Sequence, residues 1–572
     1  MTLSPKRIPI GVDNFKELVN PELNHLYIDK TLMLKELIDK GTKVSLIIRP
    51  RRWGKTINMS MIQHFFSPMV DGLPTKGIFD HLKIASVNEK AYLEHQGKHP
   101  VLFISFKDAK QDTFKGFIEK TNHLIQNLCN QYAELLTSPF LSEAEKTQFI
   151  TLQTKTASVI EVCDALQTLS VFLYKHYQQT VYILIDEYDT PLNAAYGKTH
   201  FEELVNFFKG MFGVALKGNN ALEKGIMTGI LRLSKNKMLS DLNNLTLYSS
   251  MEEQYSQYFG FSEEEVQSLF SSAELTINIE EIRGWYNGYA SGLIANIYNP
   301  WSILNCINNN GTLKPYWIKT GNEDLLRTIF LQASISVKEK LNLLLIGQPI
   351  ESIIDEYCSF DQIEGNETAL WSLLWALGYL KTIGEPKTFG TRYKYQLKIP
   401  NHEVASSFRD VFQTFMNTLP NVYKYDSFLN NLSHGNIEIF IQELTEYMST
   451  IPSWFDFPQE SNYHTFLLGL TASLGETHHI YSNREIGYGR PDILLLPRDV
   501  KNNLGIILEF KKEEPNQNQN IYEQSACKGL AQIDIHQYDS ILNNTAYIRN
   551  ILKMCIVFYG KQFICQWTMN EK

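Results

Sequence analysis

The stretch Val44-Ser45-Leu46-Ile47-Ile48-Arg49-Pro50-Arg51-Arg52-Trp53-Gly54-Lys55-Thr56 decides how the first half of the chain folds. Val44 to Pro50 is a short apolar run of the kind that forms a strand buried on both faces, and Asn58 to Phe66 continues as a helix. The turn between them ends in Gly-Lys-Thr. Backbone N–H groups at a helix N-terminus attract phosphate, a lysine there reaches the β and γ oxygens, and a threonine hydroxyl takes Mg²⁺. Arg52, Trp53, Gly54, Lys55 and Thr56 are therefore the candidate nucleotide-binding residues, with Gly54 permitting close backbone approach. Arg49 stands where such a loop usually begins with glycine. The triplet alone arises by chance; the strand before it and the helix after it give it weight.

Moving outward, Val101 to Phe106 reads as a second strand, and helical periodicity runs through Gly116 to Leu136 and Ala157 to Tyr177. The next strand, Val181 to Asp186, ends on Asp186-Glu187. Asp186 is expected to hold Mg²⁺ through water and Glu187 to orient the attacking water. The plainer alternative is a buried strand followed by an acidic turn. A further apolar run ends at Thr228, followed by Gly229, Ile230, Leu231 and Arg232. A polar residue at that strand end can sense the γ-phosphate. Arg232 either supplies transition-state charge or packs on the acids. Strands separated by helices predict an α/β domain with a parallel sheet over residues 1–289. Residues 290–428 read mainly as helices, with Leu370 to Leu380 leading into the alternating segment RYKYQLKI, a winged-helix-like pattern. Residues 429–572 form a small α/β domain: a helix from Tyr463 to Leu474, strands at His479–Glu485, Asp492–Leu496, Gly505–Phe510 and Met554–Tyr559, and a helix around Tyr522–Gln532.

That last domain carries Glu485-Ile486-Gly487-Tyr488-Gly489-Arg490-Pro491-Asp492 and then Glu509-Phe510-Lys511. The two glycines predict a hairpin. Asp492 opens a strand, while Glu509 and Lys511, two apart, share one face of the next. Asp492 and Glu509 offer the oxygen ligands a hard cation such as Mg²⁺ prefers, and Lys511 is placed to orient a water for in-line attack on a phosphodiester. The alternative is a solvated Glu–Lys pair on an edge strand, and Lys512, Glu513 and Glu514 do run into charged surface. Arg484 and Arg490 are candidates to meet phosphates. His464 either faces the metal or packs, and the adjacent His478 and His479 cannot share a face.

Composition narrows the function classes. With 572 residues the chain holds several cores, and 44% hydrophobic with 20% charged residues excludes wholesale disorder. A net charge of -9 excludes a histone-like positive coat. The third domain is itself net acidic, with 16 acids against 11 bases from Asn430 onward, so nucleic acid would be held partly by other domains or by a protein partner. The start lacks the apolar core of a signal peptide, and Leu370 to Leu380 is too short and interrupted to span a bilayer, so no membrane role is expected. Seven cysteines without a CxxC pair support neither a disulfide framework nor a zinc knuckle, so a reducing cytoplasm is the expected setting. No repeat appears, and Asn516 to Asn520 is a polar loop.

In order, the strings RPRRWGKT, YILIDEYDTPL, TGILRLSKNKMLSDLNNL, GWYNGY and IYNPWSIL resemble the AAA-ATPase-like family of bacterial proteins, through much of the first 330 residues. The resemblance implies the sheet order of AAA+/STAND P-loop NTPases and makes Arg49 a family trait. Such proteins often end in a PD-(D/E)XK nuclease domain. The pattern Asp-(x16)-Glu-x-Lys, preceded by Pro491, resembles that core. It implies that Asp492 and Glu509 hold metal, that Lys511 serves the water, and that Glu485 and Gln532 support the site from its periphery. Trp285 to Tyr289 and Tyr298 to Trp301 read as buried packing with a turn. The implied function is ATP hydrolysis with Mg²⁺, passed through the middle region to a Mg²⁺-dependent nuclease acting on DNA or RNA, in genome defence or mobile-element biology by analogy. Two rivals stay open: a nucleotide-dependent regulatory switch whose nuclease-like domain only binds, and a protein-remodelling ATPase.

Overall fold

The apolar run before the loop forms β1 (Val44–Ile48), and every one of its residues is buried. The computed structural model describes residues 6–231, 242–292, 294–317, 335–345, 347–356, 358, 366–390, 392–417, 425–450, 471, 474–475, 477–482, 485–514, 519–560 and 562–572. Two compact units emerge: one takes residues 1–317 and 351–403, the other residues 318–350 and 404–572.

In the first unit β1 is followed by α1 (Lys55–Phe66), β2 (Val101–Ser105), α2 (Phe114–Gln131), α3 (Val159–Tyr177), β3 (Val181–Asp186), α4 (Phe201–Leu216), β4 (Leu222–Gly229) and β5 (Leu245–Tyr248). The strands make one parallel sheet in the order β2-β3-β4-β1-β5. Local signals set the helix ends. Thr113 caps α2 through the Gly116 amide, and α3 opens on a Ser158–Glu161 capping box and closes on Gln178 in the left-handed region. Along α3, Val162, Leu166, Leu169 and Leu173 recur at helical spacing and pack with Ile183 and Ile185 of β3 in one core. A parallel sheet gathers its strand C-termini along one edge. The turn after β1, Asp186 at the end of β3 and Thr228 near the end of β4 therefore meet there, with Thr228 beside Ile47 in the ladder. In the same unit, α5 (Pro300–Asn308) is capped by Asn299, and α6 (Glu367–Ala376) leads into an antiparallel hairpin, β6 (Lys381–Phe389) and β7 (Arg392–Lys398). The helix α7 (His402–Asn417) begins at its end.

The second unit holds α8 (Tyr425–Ser433), α9 (Ile437–Thr450), β8 (His478–Tyr481), β9 (Ile493–Pro497), β10 (Leu504–Lys512), α10 (Gln519–Ile535), β11 (Asn550–Tyr559) and β12 (Gln562–Glu571). Its sheet runs β8-β9-β10-β11-β12, with only the β10–β11 pair parallel. Side chains alternate across it. Ile493, Leu495, Ile506, Leu508 and Phe510 pack with Leu432, Phe440 and Leu444 of α8 and α9. Leu494, Leu496 and Ile507 go to the other face with Ile533 of α10. Glu509 and Lys511 share the parity of Ile507, so the strand's pleat aims them at the α10 side. Gly529 lets α10 come close there: a Cβ on it would lie 2.3 Å from the Cys555 sulfur and 3.7 Å from Glu509 Cγ.

Candidate functional sites

The loop Arg49 to Gly54 turns through two left-handed residues, Arg52 (φ 67°) and Gly54 (φ 78°), and Gly54 caps α1 with no side-chain hydrogen bond. The first-turn amides of a 12-residue helix thus present their partial positive charge to the loop. Lys55 is buried and donates to the Arg49 and Pro50 carbonyls at 3.0 and 2.8 Å. Burial lowers its pKa, while Glu187, Asp186 and Asp189 pull it back up. Asp186, fully buried, accepts from Thr56 Oγ1 at 2.8 Å and from Thr228 Oγ1, with Ser105 Oγ at 3.4 Å. Burial raises its pKa against the pull of those hydroxyls. Glu187 has φ 51° and accepts from Thr190 Oγ1 at 3.0 Å. Asp189, also fully buried, accepts the Ile230 and Leu231 amides at 2.9 and 3.1 Å, tying the end of β4 to the acidic turn after β3. A threonine hydroxyl, a carboxylate and an ammonium at one helix start make a donor set suited to a Mg²⁺–polyphosphate.

The loop's outer side is lined by aromatics. Arg52 stacks over the Trp301 ring at 4.2 Å, Trp53 meets Tyr289 edge-on at 5.0 Å, and the Trp317 indole N–H donates to the Arg51 carbonyl at 3.1 Å. Trp53 is 3% exposed, so its contribution to a phosphate is confined to its backbone. Arg49 turns inward, donating to the Ile48 and Tyr248 carbonyls with its guanidinium over Phe259, and burial lowers its pKa to about 9. It anchors the base of the loop to β5. Glu403 is buried and accepts from the Trp317 amide and from Ser302 Oγ, each at 2.7 Å. The strings around Tyr289 and Trp301 thus pack as expected: Tyr286 and Tyr298 enter a core with Leu269 and Ile303, while Tyr289 and Trp301 lie against the loop.

In the second unit, the β9–β10 register sets Ile493 opposite Leu508, which brings Asp492 beside Glu509. Asp492 accepts the Phe510 amide at 2.7 Å. Glu509 is 3% exposed; its Oε1 accepts from Lys511 Nζ at 3.1 Å and from Gln532 Nε2 at 2.7 Å, while Oε2 is buried without a hydrogen-bond partner among the described residues. Burial and the neighbouring Asp492 push the Glu509 carboxyl up to about 7, against the pull of Lys511. An orphaned carboxylate oxygen next to a second acid is the environment that a divalent cation relieves. Among the described residues no group of three or more His, Cys, Asp and Glu side chains is placed to hold a metal ion.

Glu509 also makes stability depend on pH in a definite direction. Its pKa is raised from 4.5 in the ordinary state to about 7 when folded, so between those values the folded chain binds more protons than the unfolded one. Its contribution is fully present below pH 4.5 and is lost as pH rises through 7, at up to about 1.4 kcal/mol per pH unit. Buried His478, lowered by burial to about 4, acts in the opposite sense, its contribution being lost as pH falls. The measurement is therefore a difference: Glu509→Gln should gain apparent Tm relative to the unsubstituted chain as pH goes from 5 to 8. Melting curves that stay parallel over that range would contradict the buried, proton-holding carboxyl.

The structure thus brings Lys55, Thr56, Asp186 and Thr228 together in one site, with Glu187 at the turn, and Asp492, Glu509, Lys511 and Gln532 in another. Glu485 instead pairs with Arg490 at 2.9 Å on the surface. Arg232, His464 and Arg484 lie outside the described residues, as does most of the helix expected from Tyr463. Sequence reasoning missed Asp189, Trp317 and Glu403. Asp189 carried a local signal, an acid two residues beyond Glu187; Trp317 and Glu403 reach the site only through tertiary contacts. Among the described residues no helix is long and apolar enough to cross a membrane.

Two family models match the chain: one described as a predicted AAA-ATPase over residues 9–239, the other as the PD-(D/E)XK nuclease superfamily over residues 458–568. An uncharacterized protein in the vnfD 5' region of Azotobacter chroococcum mcd 1 is 26% identical over 412 residues, covering 71% of this chain and 70% of its own length.

Proposed function

The chain joins an AAA-ATPase-like domain to a PD-(D/E)XK nuclease-superfamily domain, and from that pairing we propose an ATP-hydrolysing protein whose nucleotide state governs hydrolytic cleavage of DNA or RNA phosphodiesters. The observation that carries the nuclease half is the cluster of Asp492, Glu509 and Lys511, with Glu509 holding an unpartnered buried oxygen. Mg²⁺, held by Thr56 and Asp186 in one site and by Asp492 and Glu509 in the other, would supply positive charge to phosphate oxygens. The chain's own groups do the rest. Lys55 leaves its two loop carbonyls for the β and γ oxygens, and Glu187 orients the attacking water. In the second site Lys511 orients the water, Gln532 fixes Glu509, and the Phe510 amide fixes Asp492. A reducing cytoplasmic setting suits seven cysteines that all stay free.

The hydrogen bonds around Trp317 support a route between the two activities. Trp317 and Glu403 are the residues at which the chain leaves the first unit, and they are bonded to each other while Trp317 holds the Arg51 carbonyl of the loop. A change of loop conformation on hydrolysis therefore acts directly on both exits. Trp317→Phe keeps the ring and deletes the indole N–H; we expect the KM for ATP to rise about two- to tenfold, the range of one hydrogen bond. An unaltered KM would disconnect the loop from the exits.

The deciding experiment incubates purified chain and Mg²⁺ or Mn²⁺ with labelled single- and double-stranded DNA and RNA, with and without ATP, beside an Asp492→Ala/Lys511→Ala control. Cleavage absent from the control is the expected result. ATP turnover with no cleavage under any condition would overturn the nuclease half and leave a nucleotide-dependent switch.

A further inference from the structure

Just before Asp492 the chain makes a tight turn whose geometry serves no need of the acid cluster. Ile486 is buried in the core, and its amide and carbonyl pair with those of Gly489 at 2.8 and 3.3 Å. The Tyr488 amide donates to the His536 carbonyl at 2.8 Å, just beyond α10. Gly487 sits at φ 62°, and a Cβ there would come within 2.3 and 2.4 Å of the His536 and Gln537 carbonyl oxygens, so that position tolerates only glycine. The turn is thus clamped to the end of the helix that supplies Gln532 to Glu509. It holds up a side chain that is 77% exposed, Tyr488, the most exposed of the large hydrophobic side chains among the described residues. Ile535, 71% exposed, immediately precedes the carbonyl that clamps it, and Arg490, two residues on, is also exposed.

An aromatic ring held in water on a rigid turn, four residues from a metal-type carboxylate, offers a flat apolar face of the kind a nucleobase stacks on. The charge of the domain points the same way. With 16 acids against 11 bases from Asn430 onward, its net charge works against holding a strand through phosphate contacts, whereas stacking is indifferent to net charge. A base inside a duplex offers no face, so the ring selects strands with an unpaired base.

We propose that Tyr488 stacks on an unpaired base of the strand presented to Asp492 and Glu509, with Arg490 beside it for phosphate, so that the nuclease unit prefers single-stranded or frayed nucleic acid. The inference rests on the nuclease reading above. Tyr488 is a substrate-positioning residue; it takes no part in bond breaking.

The test uses the full chain carrying Lys511→Ala to silence cleavage and measures binding to oligonucleotides with 2-aminopurine at successive positions. Tyr488→Ala should weaken binding of single strands about five- to a hundredfold, the range for loss of one base–aromatic stack. That loss should be the same at low and high salt and should remove the fluorescence quenching at one position. Tyr488→Phe should retain both, and blunt duplex binding should not change. Single-strand binding indifferent to Tyr488→Ala would overturn the inference alone. So would equal losses for duplex, or a loss of self-association in place of a loss of stacking. No binding of any nucleic acid with Tyr488 intact would sink the nuclease reading as well.

Discussion

Lys511→Ala is expected to lower strand cleavage by about a hundred- to ten-thousandfold while ATP turnover stays within about twofold. Two effects add. The ammonium is the cation held at 3.1 Å from Glu509, so its loss removes the group that orients the attacking water. It also removes the charge that opposes burial and Asp492 in setting the Glu509 pKa, so the carboxyl keeps its proton to still higher pH. A protonated Glu509 is a poor metal ligand. The residual activity of Lys511→Ala should therefore rise more steeply with pH than that of the unsubstituted chain, which separates this mechanism from simple unfolding. Asp492→Asn makes a useful companion. The amide oxygen can still accept the Phe510 N–H, so the strand pairing is kept, while the charge pressing on Glu509 is gone. It should lose cleavage comparably yet melt no lower. Cleavage that survives both substitutions would place the chemistry elsewhere in the chain.

The two acid clusters were legible because each depends on period and adjacency. Asp186 follows five apolar strand residues, and Glu509 and Lys511 are two apart on a strand, so short-range geometry places each acid at a strand end or on a strand face, and the sheet register then brings their partners to them. Trp317 and Glu403 were not legible. Their partners, Arg51 and Ser302, lie 266 and 101 residues away, and no local pattern encodes such a contact. The same holds for the interleaving of the two units, which depends on which segments bury one another. The strand β12 was also missed, because only its partner β11 is buried along its length: β12 is half exposed and carries no continuous apolar run. Arg49 stands out in the sequence at a position where such loops usually carry glycine, but its inward anchoring to the Tyr248 carbonyl depends on the register of β5 against β1.

Lys55→Ala is expected to reduce ATP hydrolysis at least about a hundredfold, the usual scale for losing one preorganised charge at a developing oxyanion. The substitution also acts on the stability of the fold. Lys55 is buried facing Asp186, Glu187 and Asp189, and two of these acids are themselves fully buried. Removing the buried ammonium that faces them takes away charge that opposes theirs, so the chain should also lose stability. The acids can escape by binding protons, so the stability deficit should shrink as pH falls. Thr56→Ala separates the two roles. It deletes the hydroxyl that donates to Asp186 but no charge, so it should cut turnover through weaker Mg²⁺ handling with only a small loss of Tm. ATP should raise the Tm of the unsubstituted chain and fail to raise that of Lys55→Ala, since only a ligand bound to the folded state shifts the melt. A Lys55→Ala chain that is folded, is still stabilised by ATP and still turns it over would show that the loop after β1 is not the nucleotide site.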